Sequence, residues 1–164
     1  MKCLFLLMTL AFLFGGAGNC GDDLRAIQFN FWIGDWDVYD KDGKHVGQNS
    51  IKQILDGCVL QETWAGDGGS AGSSFSHYNP STGKWQQYWV WKNGTTLPLL
   101  GGQYEEGRMV LSATSKTKEG KTIQQRISWY NNDDGTVRHH WEVSKDAGAT
   151  WVTNFDGTYV RKKK

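Results

Sequence analysis

Turn-forming residues divide most of the chain into short segments of β-type sequence. The turn signals include Asp-Gly at 56–57, Pro-Ser-Thr-Gly at 80–83 and Asn-Gly at 93–94. These residue types favour the backbone angles of tight turns, and Asp-Gly or Asn-Gly between two β-type segments indicates a hairpin. The segments between the turns are rich in aromatic and β-branched residues, and none has the length and periodicity of a long helix. The pattern predicts an all-β protein of about ten strands.

The order of the predicted strands constrains how they pair. Consecutive strands that are joined by tight turns form antiparallel hairpins with their neighbours. A long meander with one apolar face closes most easily into a barrel, because closure removes the exposed strand edges. We therefore predict a single antiparallel up-and-down β-barrel that is wide enough to hold a small ligand. A two-sheet β-sandwich is the alternative, since hairpins alone do not distinguish closure from stacking.

An aromatic stretch, FNFWIGDWDVY at 29–39, opens the β-rich region and contains the motif Gly34-Asp35-Trp36. The glycine lets the backbone bend while the indole turns under one end of a sheet. This motif resembles the opening of the calycin superfamily, which includes lipocalins, fatty-acid-binding proteins and nitrobindin-like barrels. The layout is also similar to that of uncharacterised secreted barrel domains that open with FWIGxW. The resemblance implies a calycin-like barrel in which Arg161, near the other end of the chain, lies across Trp36.

The first twenty residues have the composition of a secretory signal peptide. One lysine precedes an apolar run over 3–14, and small residues follow at 15–18. The run is too short for a membrane span. We predict a signal peptide at 1–20, a barrel domain at 21–164, and a secreted or periplasmic protein without a membrane span.

Charge argues against a nucleic-acid partner. The whole chain has a formal charge of +1, and removal of the leader with Lys2 brings it to zero. Nucleic-acid binding requires basic residues that neutralise phosphates, and a short cluster at 161–164 is the local exception. We interpret that cluster as a solvated terminus.

Two cysteines, Cys20 and Cys58, remain outside the leader's apolar run. In an oxidising compartment they can form a disulfide that ties the N-terminal segment to the barrel. Removal of Cys20 with the leader and a lipid anchor at Cys20 are the alternatives. No Cys/His spacing indicates a zinc site, and we predict neither a metal nor a cofactor.

Alternation along the strands sorts side chains by face but does not show which face points inward. Trp89 shares a face with Gln87, and Glu62 lies between apolar neighbours on its own face. Pockets of this composition bury most of a small molecule and orient it with few polar groups. We predict that an aromatic cavity is lined by Glu62, Trp64, His77, Gln87, Trp89, Arg126 and Glu142.

Several of these residues have a second interpretation. Arg126 and Glu142 are equally well explained as a cross-strand pair on the solvent face. His77 can be considered as a haem ligand, since nitrobindin-like barrels use a histidine, but a partly buried histidine without a ligand is the preferred interpretation. His139 and His140 are adjacent in one predicted strand, so they face opposite sides and cannot hold one metal together.

A complete Asp-box pattern, S-x-D-x-G-x-T-W, occurs at 144–151. In the β proteins that contain this motif, its Asp and Ser brace a hairpin. We interpret the single copy as structural.

The leading functional hypothesis is that the barrel binds a small aromatic or amphipathic molecule by tryptophan stacking and a contact with Arg126 or Glu62. One alternative is a cofactor-free isomerase, cyclase or hydrolase in which Glu62, His77 or Glu142 transfers a proton. Another is a carbohydrate- or partner-binding module in which a row of tryptophans, at 85, 89 and 91, faces outward. The oligomeric state is left open.

Overall fold

The computed structural model describes residues 20–117 and 119–163, which form a barrel of ten strands preceded by short turns. Three 3₁₀ turns come first, at Cys20–Asp22, Leu24–Ile27 and Asn30–Trp32. The strands are β1 (Gly34–Asp40), β2 (His45–Ile54), β3 (Val59–Gly66), β4 (Ala71–Asn79), β5 (Lys84–Trp91), β6 (Thr96–Glu105), β7 (Arg108–Lys116), β8 (Thr122–Asn131), β9 (Val137–Ser144) and β10 (Val152–Arg161). Apart from Cys20, the predicted signal peptide lies outside the described residues. Within those residues, no helix has both the length and the apolar character needed to span a membrane.

Each strand pairs in antiparallel orientation with the next one along the chain, and β10 pairs with β1. Trp36 of β1 is therefore opposite Arg161 of β10 on one side and Asn49 of β2 on the other. A sandwich would leave strands at sheet edges, whereas this ladder is closed. The predicted all-β up-and-down barrel is confirmed, and the sandwich alternative is excluded.

Alternate side chains on each strand point into the barrel. On β5, Trp85 and Gln87 are 2% and 3% exposed, whereas Tyr88 is 47% exposed on the opposite face. The same alternation on β8 buries Ile127 and Trp129 inside the barrel. The inner rows of the strands form one continuous hydrophobic core.

Residues 20–32, which we call the N-terminal arm, close one end of the barrel. Phe29 and Trp32 of the arm are completely buried, and their rings stack with centroids 4.9 Å apart. Trp129 of β8 contacts both rings, at centroid distances of 5.2 and 5.3 Å. The arm therefore supplies aromatic side chains that fill this end of the barrel, which we call the closed end.

Two further contacts fix the N-terminal arm in place. A disulfide joins Cys20 to Cys58, beside the hairpin between β2 and β3. The indole nitrogen of Trp85 donates a hydrogen bond to the carbonyl oxygen of Arg25 at 3.0 Å. Of the three alternatives considered for Cys20, the structure has the disulfide.

The Gly-x-Trp motif lies beneath the closed end. The Trp36 indole nitrogen donates to the carbonyl oxygen of Trp32 at 2.9 Å, and the Arg161 guanidinium lies 4.3 Å from the ring centroid of Trp36. Arg161 Nη1 also donates to the carbonyl oxygen of Ile33 at 3.0 Å. A Cβ atom at Gly34 would lie 2.5 Å from that same Nη1 atom. A side chain at this position would displace the Arg161 guanidinium, and the φ angle of Gly34, +147°, is one that residues other than glycine rarely adopt.

The Asp-box connects β9 to β10 and bonds its own turn. The Asp146 carboxylate accepts hydrogen bonds from the Thr150 amide and hydroxyl, and the Ser144 hydroxyl accepts one from the Gly148 amide. The bonds from Thr150, together with one from the Ser144 hydroxyl, lower the pKa of Asp146 to about 2. These contacts brace a hairpin, as the sequence indicated.

Candidate ligand-binding cavity

The half of the barrel away from the N-terminal arm contains a cavity of about 370 Å³. Trp91, at the end of β5, lines the cavity, whereas Trp85, near the start of the same strand, contacts the arm. Two other lining residues are exposed: Ser70 lies in the loop between β3 and β4, and Asn154 lies near the start of β10. The cavity therefore reaches the surface at the end opposite the arm, which we call the open end.

Tryptophan forms much of the cavity wall. The five tryptophans that line it are Trp64, Trp89, Trp91, Trp129 and Trp141. Trp89 and Trp91 meet almost at right angles, with ring centroids 5.7 Å apart and an interplanar angle of 84°. Such rings offer broad apolar faces for stacking or edge contacts with a bound molecule.

Glycines on neighbouring strands make room for two of these indoles. A Cβ atom at Gly47 would lie 2.7 Å from the Trp64 ring, and one at Gly72 would lie 2.5 Å from the Trp89 ring. Each indole thus extends across the adjacent strand inside the barrel. Larger residues at 47 and 72 would displace the cavity wall.

Glu62 is the carboxylate of the cavity, and it is 5% exposed. Its oxygens accept hydrogen bonds from Asn49 Nδ2 at 2.7 Å and from the Ser74 hydroxyl at 2.6 Å. Gln87 Nε2 donates to Ser74 at 3.1 Å and lies 3.5 Å from Glu62 Oε2. Burial raises the pKa of Glu62 to about 7, although the bonds from Ser74 and Asn49 oppose that rise. Glu62 can therefore gain or lose a proton near neutral pH.

The hydrogen bonds continue from Glu62 to an aromatic pair. Asn49 Nδ2 also donates to the Tyr159 hydroxyl oxygen at 3.3 Å, and that hydroxyl lies 3.1 Å from His139 Nδ1. The Tyr159 hydroxyl can donate to His139 Nδ1 or accept from it, according to the imidazole tautomer. The other ring nitrogen of His139, Nε2, is buried without a hydrogen-bond partner among the described residues.

Desolvation keeps both members of this pair uncharged. The low-dielectric surroundings lower the pKa of His139 to about 3 and raise the pKa of Tyr159 above its ordinary value. His139 also stacks on Trp129, with centroids 4.9 Å apart. Glu62 is consequently the group of this network that changes charge near neutral pH.

Four of the seven residues predicted for the cavity line it together: Glu62, Trp64, Gln87 and Trp89. They lie on β3 and β5, two strands whose inner rows place them around the same space. Whether these residues bind a ligand stays a prediction.

The other three predicted residues do not line the cavity. Arg126 and Glu142 are opposite each other on β8 and β9 and form an ion pair at 2.9 Å on the outer face. Arg126 also lies over the Trp151 ring, 4.3 Å from its centroid. The prediction of a cavity position was wrong for this pair because the inner rows of β8 and β9 are their aromatic, odd-numbered rows. The alternative of a cross-strand pair outside the barrel describes it.

His77 lies on the odd-numbered row of β4, whereas Ser74 and Ser76 of the even-numbered row are buried inside. It faces outward and cannot ligate a haem held inside the cavity. Partial burial lowers its pKa. No group of three or more His, Cys, Asp or Glu side chains within 20–117 and 119–163 could hold a metal ion.

The tryptophan row of β5 does not face outward, as the carbohydrate- or partner-binding alternative requires. Trp85 is buried in the core, and Trp89 and Trp91 line the cavity. The row faces inward, because the outer face of this strand carries Tyr88 and Val90 instead. An exposed stacking platform made of these three tryptophans is therefore excluded.

The prediction from sequence missed three polar residues of the site: Asn49, His139 and Tyr159. Alternation did group His139 with Trp141 on one face of β9, and that shared face was the available signal. Asn49 and Tyr159 carried no such signal, because their contacts depend on the closure of β1 with both β2 and β10. No protein-family model matches the chain, and no curated protein matches it either.

Proposed function

We propose that this protein is a secreted or periplasmic, calycin-like barrel that binds a small aromatic or amphipathic molecule in its cavity. The observation that carries the proposal is the tryptophan-lined cavity of about 370 Å³, with a few buried polar groups in its wall. Ligand sites of proteins have this character: a concave, mostly apolar space with a small number of orienting hydrogen-bonding groups. The leader-like residues 1–20 support secretion, and the stacking of Arg161 on Trp36 supports the calycin relationship.

Buried groups without partners add to the argument. Two residues that line the cavity have a ring nitrogen without a hydrogen-bond partner among the described residues: His139 at Nε2 and Trp129 at Nε1. Buried polar atoms are normally paired, and each unpaired atom costs free energy. A bound molecule with polar atoms of its own could relieve part of that cost.

Native mass spectrometry of the protein from its natural producer tests the proposal directly. We expect a mass in excess of the polypeptide that disappears when the sample is denatured. The released compound would identify the ligand class. A bare native mass, together with no capture of small molecules from the producer's medium, would contradict the proposal.

A pair of neighbouring substitutions links capture to the cavity. Trp89→Ala removes a cavity wall, whereas Tyr88→Ala removes an aromatic ring from the outer face of the same strand. We expect Trp89→Ala to weaken capture by roughly tenfold or more, since an aromatic anchor is a typical hot spot. Equal dissociation constants for the two variants would remove Trp89 from the site.

A cofactor-free enzyme is the second candidate, and the buried carboxyl of Glu62 favours it. A buried acid with a pKa of about 7 is suited to general acid–base catalysis at neutral pH. The roles considered for His77 and Glu142 pass to Glu62, because the other two residues lie outside the barrel. We expect turnover with a bell-shaped pH profile that is lost in Glu62→Gln. Ligand that is released chemically unchanged after prolonged incubation would argue against this candidate.

A further inference from the structure

We infer that the cavity selects an organic cation: a molecule with a protonated amine attached to an aromatic or apolar body. This inference rests on the proposed ligand-binding function and specifies its ligand class. The observation that supports the inference is the sign of the charge inside the barrel.

The polar groups of the cavity wall are one carboxyl and several neutral groups. Among the described residues that line the cavity, Glu62 is the single acidic side chain, and there is no lysine or arginine. The imidazole of His139 and the phenol of Tyr159 both stay uncharged near neutral pH. When Glu62 ionises, the cavity therefore carries one negative charge.

Neutral donors compensate this charge only in part. Glu62 receives hydrogen bonds from Asn49 and Ser74, but it has no ion pair with any described residue. A buried carboxylate without a cation costs several kcal/mol by order of magnitude, and pairing recovers much of that cost. A cationic ligand would supply the missing partner.

The aromatic wall favours the same sign. Indole rings present a negative face, which attracts an ammonium group and repels an anion. Trp64, Trp89 and Trp91 surround the space that Glu62 also lines, and the last two form perpendicular walls. Aromatic rings around a cation, with a carboxylate beside them, are a common arrangement for binding amines.

The arginines of the neighbouring strands cannot reverse this selection. Arg126 is paired with Glu142, and Arg138 is paired with Asp156 at 2.7 Å, both on the outer face of the sheet. An acidic ligand in the cavity would therefore find a carboxylate and indole faces, and no lysine or arginine among the described residues that line the cavity. This arrangement disfavours fatty acids and other carboxylates as ligands.

Three indoles of similar shape and different charge test the inference. Tryptamine is a cation, tryptophol is neutral and indole-3-acetate is an anion at neutral pH. We expect calorimetric titration of the wild-type protein at about pH 8 to show tryptamine binding roughly tenfold or more tighter than tryptophol, with indole-3-acetate weakest. Tryptamine affinity should also rise from about pH 5.5 to pH 8 as Glu62 ionises, while tryptophol affinity does not rise. The groups that face Glu62, which are Asn49, Ser74, Gln87 and Tyr159, remain uncharged over this range.

A substitution assigns the preference to one carboxyl. Glu62→Gln keeps the size of the side chain and should remove most of the preference for tryptamine over tryptophol, leaving the smaller contribution of the indole faces. Glu142→Gln, which alters the outer face, should leave the wild-type preference intact. If Glu62→Gln fails to fold, the comparison of the three indoles on the wild-type protein still tests the cationic preference.

The outcomes separate the inference from the function on which it rests. Equal binding of the three indoles, or tightest binding of indole-3-acetate, would overturn the cationic preference and leave cavity binding intact. Failure of all three to bind, together with a bare native mass, would overturn both.

Discussion

The two ends of the barrel are built from the same residue type, yet one end is filled and the other contains a cavity. At the closed end, Trp32 and Trp85 both contact Phe29 directly, and all three are 0–2% exposed. At the open end, Trp89 and Trp91 also touch, but a space of about 370 Å³ lies beside them. The two ends therefore both contain tryptophans, but only the closed end is tightly packed.

The difference comes from what covers each end. The N-terminal arm inserts Phe29 and Trp32 into the closed end and is fastened there by the Cys20–Cys58 disulfide. At the open end the cavity reaches the surface, and its rim carries the small polar residues Ser70 and Asn154. The comparison teaches that a tryptophan serves stability or binding according to whether another segment fills the space beside it. Substitutions at the closed end should therefore affect stability, and substitutions at the open end should affect ligand capture.

The largest expected effect is on the indole at the base of the closed end. Trp36→Ala removes a completely buried ring, its hydrogen bond to Trp32 and its contact with Arg161. We expect the free energy of unfolding to fall by about 3–5 kcal/mol, as for other buried Trp-to-Ala changes. Urea denaturation of the two proteins measures the change. An equal loss in Trp89→Ala, which lies at the partly exposed open end, would contradict the division between the ends.

The next effect concerns the attachment of the arm. Cys20→Ser with Cys58→Ser removes the disulfide, which we expect to lower the free energy of unfolding by about 2–4 kcal/mol. The cross-link restricts the unfolded chain over a sequence separation of 38 residues. Thermal unfolding measures the loss, and ligand capture should persist wherever the variant remains folded. Complete loss of capture in a folded variant would show that the closed end shapes the cavity.

The fold could be predicted from sequence because its determinants are local. Turn residues at 56–57 and 93–94 set the hairpins, and each hairpin fixes the pairing of its two strands. The start of the first strand was predicted less accurately, because it depends on contacts between segments far apart in sequence. The aromatic stretch at 29–39 was expected to open the first strand, but β1 begins at Gly34, because Phe29 and Trp32 fold under the barrel.

The site could be predicted only in part because alternation sorts residues into rows without giving the inward direction. On β3 and β5 the predicted rows, which contain Glu62 and Trp89, line the cavity. On β8 and β9 the polar rows of Arg126 and Glu142 were chosen, although the apolar rows beside them are buried. The polar network beyond Glu62 depends on ring closure between strands far apart in sequence, which no local pattern encodes.

A smaller effect is expected from Glu62 in the cavity, whose contribution to the free energy of unfolding changes with pH. The folded-state pKa of Glu62 is about 7, whereas its ordinary value is 4.5. The native state therefore holds this proton more tightly than the unfolded state. The resulting stabilisation is complete below the ordinary value and is lost as the pH rises through about 7.

Glu62→Gln cannot ionise and should escape this loss. At about pH 8 we expect the variant to be more stable than the wild-type protein by about 1–3 kcal/mol, and near pH 4.5 the two should be similar. Urea denaturation at the two pH values measures both differences. A constant difference between the proteins across this range would show that the carboxyl titrates normally and is not isolated in the folded protein.

The smallest effect is expected on the outer face, where the charges have partners. Arg126 is paired with Glu142 and stacked on Trp151, and its side chain is 40% exposed. The partner Glu142 is 16% exposed, but solvent screens the Arg126 side of the pair, so we expect Arg126→Ala to lower the free energy of unfolding by about 1 kcal/mol. Its dissociation constant for tryptamine should match that of the wild-type protein, because the sheet separates Arg126 from the cavity. If Arg126→Ala weakened tryptamine binding as much as Glu62→Gln, the charge of Arg126 on the outer face would contribute to ligand affinity. The electrostatics of the cavity would then include the charged residues outside the barrel.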